Sequence, residues 1–176
     1  MTDAKLDDTL PEMTVGRAVA IKLTHKYLHG QLDPFLTLRE LRTLMYFMRE
    51  AGEPQHAEDL HQIVTAITEY NRDDRVWFSQ KAEAFLLLHS GATCVRINRV
   101  AKLIDGFESP LGLELLAEVY RATRHGAVHT FMDVVDHIRT FNQRFTKRQI
   151  GIAMHALVHN GWVDPRFLSA EEKRHE

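Results

Sequence analysis

The sequence has little of what builds cross-linked, secreted or membrane proteins. Its single cysteine, Cys94, cannot form an internal disulfide, and this favours a reducing compartment. The apolar run Phe85–Leu88 is far too short to span a bilayer. The acidic N-terminal residues contain no apolar segment of the kind found in a signal peptide. We therefore expect a soluble, cytoplasmic protein with no membrane partner.

Neither sign of charge dominates. The chain has 22 Lys and Arg residues against 24 Asp and Glu residues, a net charge of −2. This balance excludes a generally basic nucleic-acid binder, although a local basic patch remains compatible with it. The hydrophobic fraction of 44% is ordinary for a globular protein. We expect one domain over residues 14–165, a disordered segment 1–13 and a frayed C-terminal segment 166–176.

Apolar residues recur at three- and four-residue steps along most of the chain, and this is the period of an α-helix. Three segments have the form of a capping box, in which a threonine and an acid or amide three residues later satisfy free backbone N–H groups: Thr37–Glu40, Thr130–Asp133 and Thr146–Gln149. The pattern predicts helices over about 14–28, 38–51, 57–70, 79–89, 93–105, 111–123, 131–142 and 147–160.

Strand patterns are weak, and only Val76–Phe78 and Trp162–Val163 are candidates. The sequence therefore predicts an all-α fold, a compact bundle of about seven to eight helices. Its C-terminal third has the helix lengths of a winged-helix domain.

The segment Leu103–Leu116 predicts a sharp helix junction. Gly106 can adopt the left-handed conformation that ends a helix. Ser109 can cap the next helix, and Pro110 fits its first position, where a backbone N–H is not needed. Such a junction fixes the angle between two apolar helices.

Candidate catalytic groups are sparse. Three histidine pairs have the i,i+4 spacing that could share a metal, namely His25/His29, His125/His129 and His155/His159, but no pattern supplies a third ligand. Cys94 lies near a helix start beside Arg96 and Arg99, where a thiol could be activated, or it faces the core. No nucleophile elbow or phosphate loop is present. We expect no metal, no cofactor and no enzymatic activity.

The C-terminal third also fits a DNA-binding protein. Four polar residues crowd the start of its last helix, where a recognition helix places its base-reading side chains: Arg144, Lys147, Arg148 and Gln149. Asp133 and Asp136 lie nearby, and no second basic stripe follows them. A winged-helix transcriptional regulator is therefore the alternative hypothesis, and only under it does nucleic acid become a partner.

Two segments resemble the C-terminal domain of DarG antitoxins. The first runs from Leu32 to Pro54 and contains "LDPF" and "LMYFMREAGEP"; the second is the Leu103–Leu116 junction, followed by helices ending in Gly161-Trp162-Val163. The resemblance covers roughly residues 14–165. Three features depart from the family: the "YGPYAENL" motif survives only in Pro54–Leu60, a glycine-rich loop is replaced at Glu69–Asp74, and the macrodomain that removes ADP-ribose is absent.

The resemblance implies the toxin-binding half of a toxin–antitoxin system. DarG proteins neutralise DarT toxins, which ADP-ribosylate DNA, so the implied partner is a DarT-like ADP-ribosyltransferase. A partner with a cationic groove would be attracted by carboxylates. The candidate partner-binding residues are six carboxylates and one apolar anchor: Glu50, Glu53, Glu58, Asp59, Asp105, Glu108 and Phe107. A solvated face is the alternative role for these carboxylates, and the core is the alternative for Phe107.

Overall fold

The computed structural model describes residues 12–29, 36–56, 59–69 and 72–168. It divides into two compact units, an N-terminal unit (Met1–Ala101) and a C-terminal unit (Lys102–Glu176). The described residues form α-helices and one short 3₁₀ turn, with no strand among them. The all-α prediction is confirmed.

The N-terminal unit contains α1 (Val15–Tyr27), α2 (Leu38–Glu50), α3 (Leu60–Glu69), α4 (Arg72–His89) and α5 (Gly91–Ile104), whose last residues belong to the C-terminal unit. Helix α1 is its centre, because it packs most extensively on α4 and also contacts α2 and α3. Most residues of α1 are buried, including Leu23 and Tyr27. Burial on most sides is expected of a helix in such an interior position.

The C-terminal unit contains α6 (Pro110–Thr123), α7 (Phe131–Phe141), α8 (Lys147–His159) and the 3₁₀ turn Pro165–Phe167. Helix α6 is its centre and packs on both α7 and α8. Leu116, Val134, Ile150 and Met154 are fully buried there. Apolar burial of this extent contributes about 1.5–3 kcal/mol for each large side chain.

Helix ends follow the predicted caps closely. The hydroxyl of Thr37 accepts the N–H of Glu40, and the Glu40 carboxylate accepts the N–H of Thr37 in return. The boxes at Thr130 and Thr146 are formed in the same way. Gly52, Gly106 and Gly161 each follow a helix and have positive φ, which glycine adopts without strain.

Neither of the two strand candidates forms a strand. Val76–Phe78 is inside α4, which begins at Arg72, seven residues before its predicted start. Asp73 and Asp74 occupy the first turn of α4, where their charge stabilises the positive end of the helix dipole. Trp162–Val163 forms a bend after the turn that follows α8. The predicted polar break at residues 71–74 is therefore largely a helix start.

The predicted single domain over 14–165 stays a prediction. Most of the predicted disordered segment 1–13 and of the predicted frayed segment 166–176 lies outside the described residues, namely residues 1–11 and 169–176, as does the turn at Asp33–Pro34. Across the described part of the chain, no helix combines the length and the apolar character needed to cross a membrane.

Candidate interaction surfaces

The turn after α2 positions the first group of candidate carboxylates. Gly52 has φ +92°, its N–H donates to the Arg49 carbonyl at 2.9 Å, and the N–H of Glu53 donates to the Met48 carbonyl at 3.0 Å. This pair of bonds is the Schellman motif that closes a helix. The motif reverses the chain direction and sets the side chain of Glu53 toward the protein interior.

Glu53 is buried, with 4% of its surface exposed. Its carboxylate accepts hydrogen bonds from the Thr93 hydroxyl at 3.0 Å and from the Arg96 guanidinium at 2.9 Å. The His56 ring nitrogen lies 3.0 Å from the same carboxylate. Glu53 is one of the predicted partner-binding residues, but its carboxylate oxygens are occupied inside the N-terminal unit. We therefore remove Glu53 from the candidate surface.

The other early carboxylates differ from one another. Glu50 is half-buried and lies 3.8 Å from Arg49. Asp59 is exposed, and its carboxylate accepts the N–H groups of His61 at 3.0 Å and Gln62 at 3.3 Å, so it caps α3. Glu58 lies outside the described residues.

The second group of candidates lies together in the junction loop, residues 105–109. Asp105 is exposed, whereas Phe107 and Glu108 are half-buried. The N–H of Phe107 donates to the Ile104 carbonyl at 2.8 Å, and the N–H of Ser109 donates to the Phe107 carbonyl at 2.8 Å. These bonds hold the loop backbone in one conformation, and three of the predicted partner-binding residues therefore come from a single fixed loop.

Gly112 explains the tightness of this junction. A Cβ atom at position 112 would lie 2.9 Å from the Ser109 hydroxyl oxygen and 3.0 Å from the Phe107 carbonyl oxygen. The Ser109 hydroxyl accepts the N–H of Gly112 at 3.0 Å. The first turn of α6 thus approaches the loop backbone so closely that only glycine fits without a shift.

Of the four residues of the alternative DNA-binding hypothesis, two have side chains engaged in contacts within the protein and two are exposed. Arg144 is bound to the Glu114 carboxylate at 2.6 Å. The amide oxygen of Gln149 accepts the N–H and hydroxyl of Thr146, so this side chain serves the helix cap. Lys147 and Arg148 are exposed at the first turn of α8.

The histidines do not assemble into a metal centre within the described ranges, where no three His, Cys, Asp or Glu side chains come close enough to hold an ion. The ring centroids of His25 and His29 are 6.3 Å apart. His125 instead contacts His137, with centroids 4.8 Å apart, a pairing that sequence spacing did not indicate. Cys94 is half-buried.

Among the residues that the structure describes, three titratable groups have a shifted pKa, each with an identifiable cause. Burial, reinforced by the neighbouring Lys22, lowers the pKa of His25. The hydrogen bond from Lys22 at 2.8 Å lowers the pKa of Glu83. The backbone N–H groups of His129 and Thr130 lower the pKa of Asp133 at the start of α7. All three perturbations arise from local structural contacts.

A buried polar contact stabilises the start of α2. The Tyr27 hydroxyl donates to the Glu40 carboxylate at 2.5 Å, and Glu40 is only 5% exposed. The capping pattern predicts the role of Glu40 but not its contact with Tyr27, because the pattern is local and Tyr27 belongs to the preceding helix.

These features define an all-α protein with a carboxylate-bearing junction loop and an exposed basic turn. No protein-family model matches the chain. The chain is 30% identical to a protein of Thermus aquaticus named DNA ADP-ribosyl glycohydrolase. The match covers 89% of this chain and 50% of that protein, so the chain spans about half the length of its relative.

This similarity overturns the expectation that the protein is not an enzyme, and it supports in part the resemblance to DarG proteins. The expectation that the protein is not an enzyme is wrong by this comparison, because the relative is named as an enzyme. That expectation rested on missing nucleophile, metal and phosphate-loop motifs, and their absence excludes only chemistry that needs those groups. The relative is named a DNA ADP-ribosyl glycohydrolase, and this name agrees with the resemblance to DarG proteins.

Proposed function

We propose that the chain is the toxin-binding part of a DarG-like protein, which binds a DarT-like DNA ADP-ribosyltransferase and occludes its single-stranded DNA site. The observation that carries this proposal is the similarity, along 89% of the chain, to a protein named DNA ADP-ribosyl glycohydrolase. The two segments that resemble DarG antitoxins add to it. The relative's name and the toxin's activity concern the same modification, ADP-ribose on DNA.

The junction loop supplies a surface suited to such a partner. An enzyme that holds single-stranded DNA needs a cationic groove with aromatic platforms. Asp105 and Glu108 would face the cations of that groove, and Phe107 would enter an apolar part of it. Because the loop is held by backbone hydrogen bonds and by the close approach at Gly112, little conformational entropy is lost on binding. Glu50 and Asp59 remain secondary candidates.

The test is an inhibition assay with a DarT-like toxin, NAD⁺ and a single-stranded oligonucleotide, in which incorporation of ADP-ribose is measured. We expect the chain to inhibit the toxin stoichiometrically. The double variant Asp105→Lys/Glu108→Lys should need about tenfold more protein for the same inhibition, because two attractive charges become repulsive. The control Asp136→Lys makes the same type of change at an exposed position of α7 and should leave inhibition within about twofold.

Two results would contradict the proposal. One is unchanged toxin activity at a large excess of folded chain. The other is an equal loss of inhibition in the junction variant and in the Asp136 control, which would remove the junction loop as the binding surface.

A second candidate function is ADP-ribosyl glycohydrolase activity, which the name of the relative favours. An order-of-addition experiment separates the two functions. An inhibitor added before the toxin prevents modification but does not reverse it, whereas a glycohydrolase releases ADP-ribose from DNA that is already modified. Release should therefore be measured on a purified modified oligonucleotide with the toxin removed. Multiple turnovers per chain would establish the enzyme.

A further inference from the structure

Helix α8 presents an exposed face of unusual composition. Arg148, Ile152, His155 and His159 recur at steps of four, three and four residues and therefore lie on one side of the helix. Arg148 and His159 are exposed, and Ile152 is 55% exposed despite its aliphatic side chain. The opposite side, which includes Ile150 and Leu157, is buried against the core. The face is rigidly supported and extends along most of the helix.

The chain segment that carries this face contains charged residues of one sign. No Asp or Glu occurs between residues 137 and 163, whereas Arg139, Arg144, Lys147 and Arg148 all lie there. Arg144 is bound to Glu114, but no carboxylate of the described residues forms an ion pair with Lys147 or Arg148. Although the whole chain has a net charge of −2, the start of α8 is locally cationic.

We propose that this face of α8 binds double-stranded DNA by entering the major groove. A major groove about 12 Å wide admits one α-helix, whose exposed side chains then reach the base edges. Arg148 suits the acceptor atoms of guanine, and Ile152 suits the methyl group of thymine. Lys147, on the flank of the helix, would contact a phosphate. Gln149 takes no part, because its amide oxygen is engaged by Thr146.

The composition favours a duplex over other occupants. Single-stranded nucleic acid is held mainly by aromatic stacking platforms, and the centre of this face carries the aliphatic Ile152. The cationic side chains of Lys147 and Arg148 favour binding to the negatively charged phosphate backbone of DNA. This inference goes beyond the proposed toxin binding and does not depend on it, since it concerns other residues and another partner.

The test measures fluorescence anisotropy of a labelled duplex of about 20 base pairs with the full chain, at low and at near-physiological salt. Because phosphate contacts release counterions, we expect affinity to fall as salt rises. Arg148→Glu should weaken binding about tenfold or more. Ile152→Asp should also weaken it, since a carboxylate would enter an anionic groove. The control Arg166→Glu, an equal charge change at an exposed position, should stay within about twofold.

Circular dichroism shows whether each variant is folded. Toxin inhibition by Arg148→Glu should match that of the unmodified chain. Failure of the DNA-binding proposal can therefore be distinguished from failure of the toxin-binding proposal. The proposal is overturned by the absence of binding at low salt with micromolar protein. It is equally overturned if Arg148→Glu and Arg166→Glu lose the same affinity, or if a single strand of the same sequence binds more tightly than the duplex.

Discussion

Two acidic residues six positions apart have opposite surroundings. Asp59 is exposed and caps α3, whereas Glu53 is enclosed by Thr93, Arg96 and His56. Both looked alike in sequence, because each is an acidic residue near a helix end. The difference comes from α5, whose first turn lies 40 residues further along the chain and meets the turn after α2. A contact of that separation leaves no local pattern to find.

Replacing Glu53 tests its structural role. We expect Glu53→Ala to lower the free energy of unfolding by about 2–3 kcal/mol, because the buried Thr93 hydroxyl and the Arg96 guanidinium lose their acceptor. Urea denaturation followed by circular dichroism measures the change. The control Glu69→Ala, at an exposed position of α3, should change stability by less than about 0.5 kcal/mol. Equal effects of the two substitutions would contradict the assignment.

Asp133 gives a pH-dependent prediction. Its pKa is lowered chiefly by the backbone N–H groups of His129 and Thr130, so the folded state favours the ionised carboxylate. The resulting stabilisation is fully present above the ordinary aspartate pKa and is lost as the pH falls through the lowered folded-state pKa. We expect the stability difference between the unmodified chain and Asp133→Asn to be largest near neutral pH and to vanish in acid. Urea denaturation over a pH series measures it, and a difference that grew in acid would refute the assignment.

At the scale of elements, capping chemistry predicted more of the fold than propensity did. The three threonine boxes and the Ser109–Pro110 start are formed as predicted, since a cap is a bond between residues three positions apart. The start of α4 was missed because Asp73 and Asp74 look like a polar loop, yet at a helix start they stabilise the dipole. Val76–Phe78 has strand propensity, but packing of α4 on α1 overrides it.

The junction yields a sharp element-scale prediction. Gly112→Ala should destabilise the protein by about 1–3 kcal/mol, because the new Cβ would lie 3.0 Å from the Phe107 carbonyl oxygen and 2.9 Å from the Ser109 hydroxyl. Gly91→Ala is the matched control, since no atom lies within 4 Å of a Cβ built there. Removing that glycine from the first turn of α5 should be neutral or stabilise by up to about 1 kcal/mol. Thermal denaturation of both variants distinguishes a steric effect from a general intolerance of alanine.

At the scale of the whole molecule, the net charge of −2 is too small to steer a partner over long distances. Attraction therefore has to come from local groups of charges. The numbers of acidic and basic residues give the near-balance of charge, but they do not distinguish exposed carboxylates such as Asp105 from enclosed ones such as Glu53. The local cationic turn at Lys147 and Arg148 is equally invisible in the total.

Salt dependence of toxin association is the corresponding prediction. If carboxylates of the junction loop meet a cationic groove, the association rate should fall as ionic strength rises, because the Debye length shortens to about 8 Å at 0.15 M. Asp105→Lys/Glu108→Lys should flatten or reverse that dependence, whereas Asp136→Lys should retain it. Stopped-flow or biolayer measurements between low and physiological salt give the slopes. If the junction variant kept the slope of the unmodified chain, the attraction would have to be assigned to Glu50 and Asp59 in the N-terminal unit, and the same pair of measurements on Glu50→Lys/Asp59→Lys would decide it.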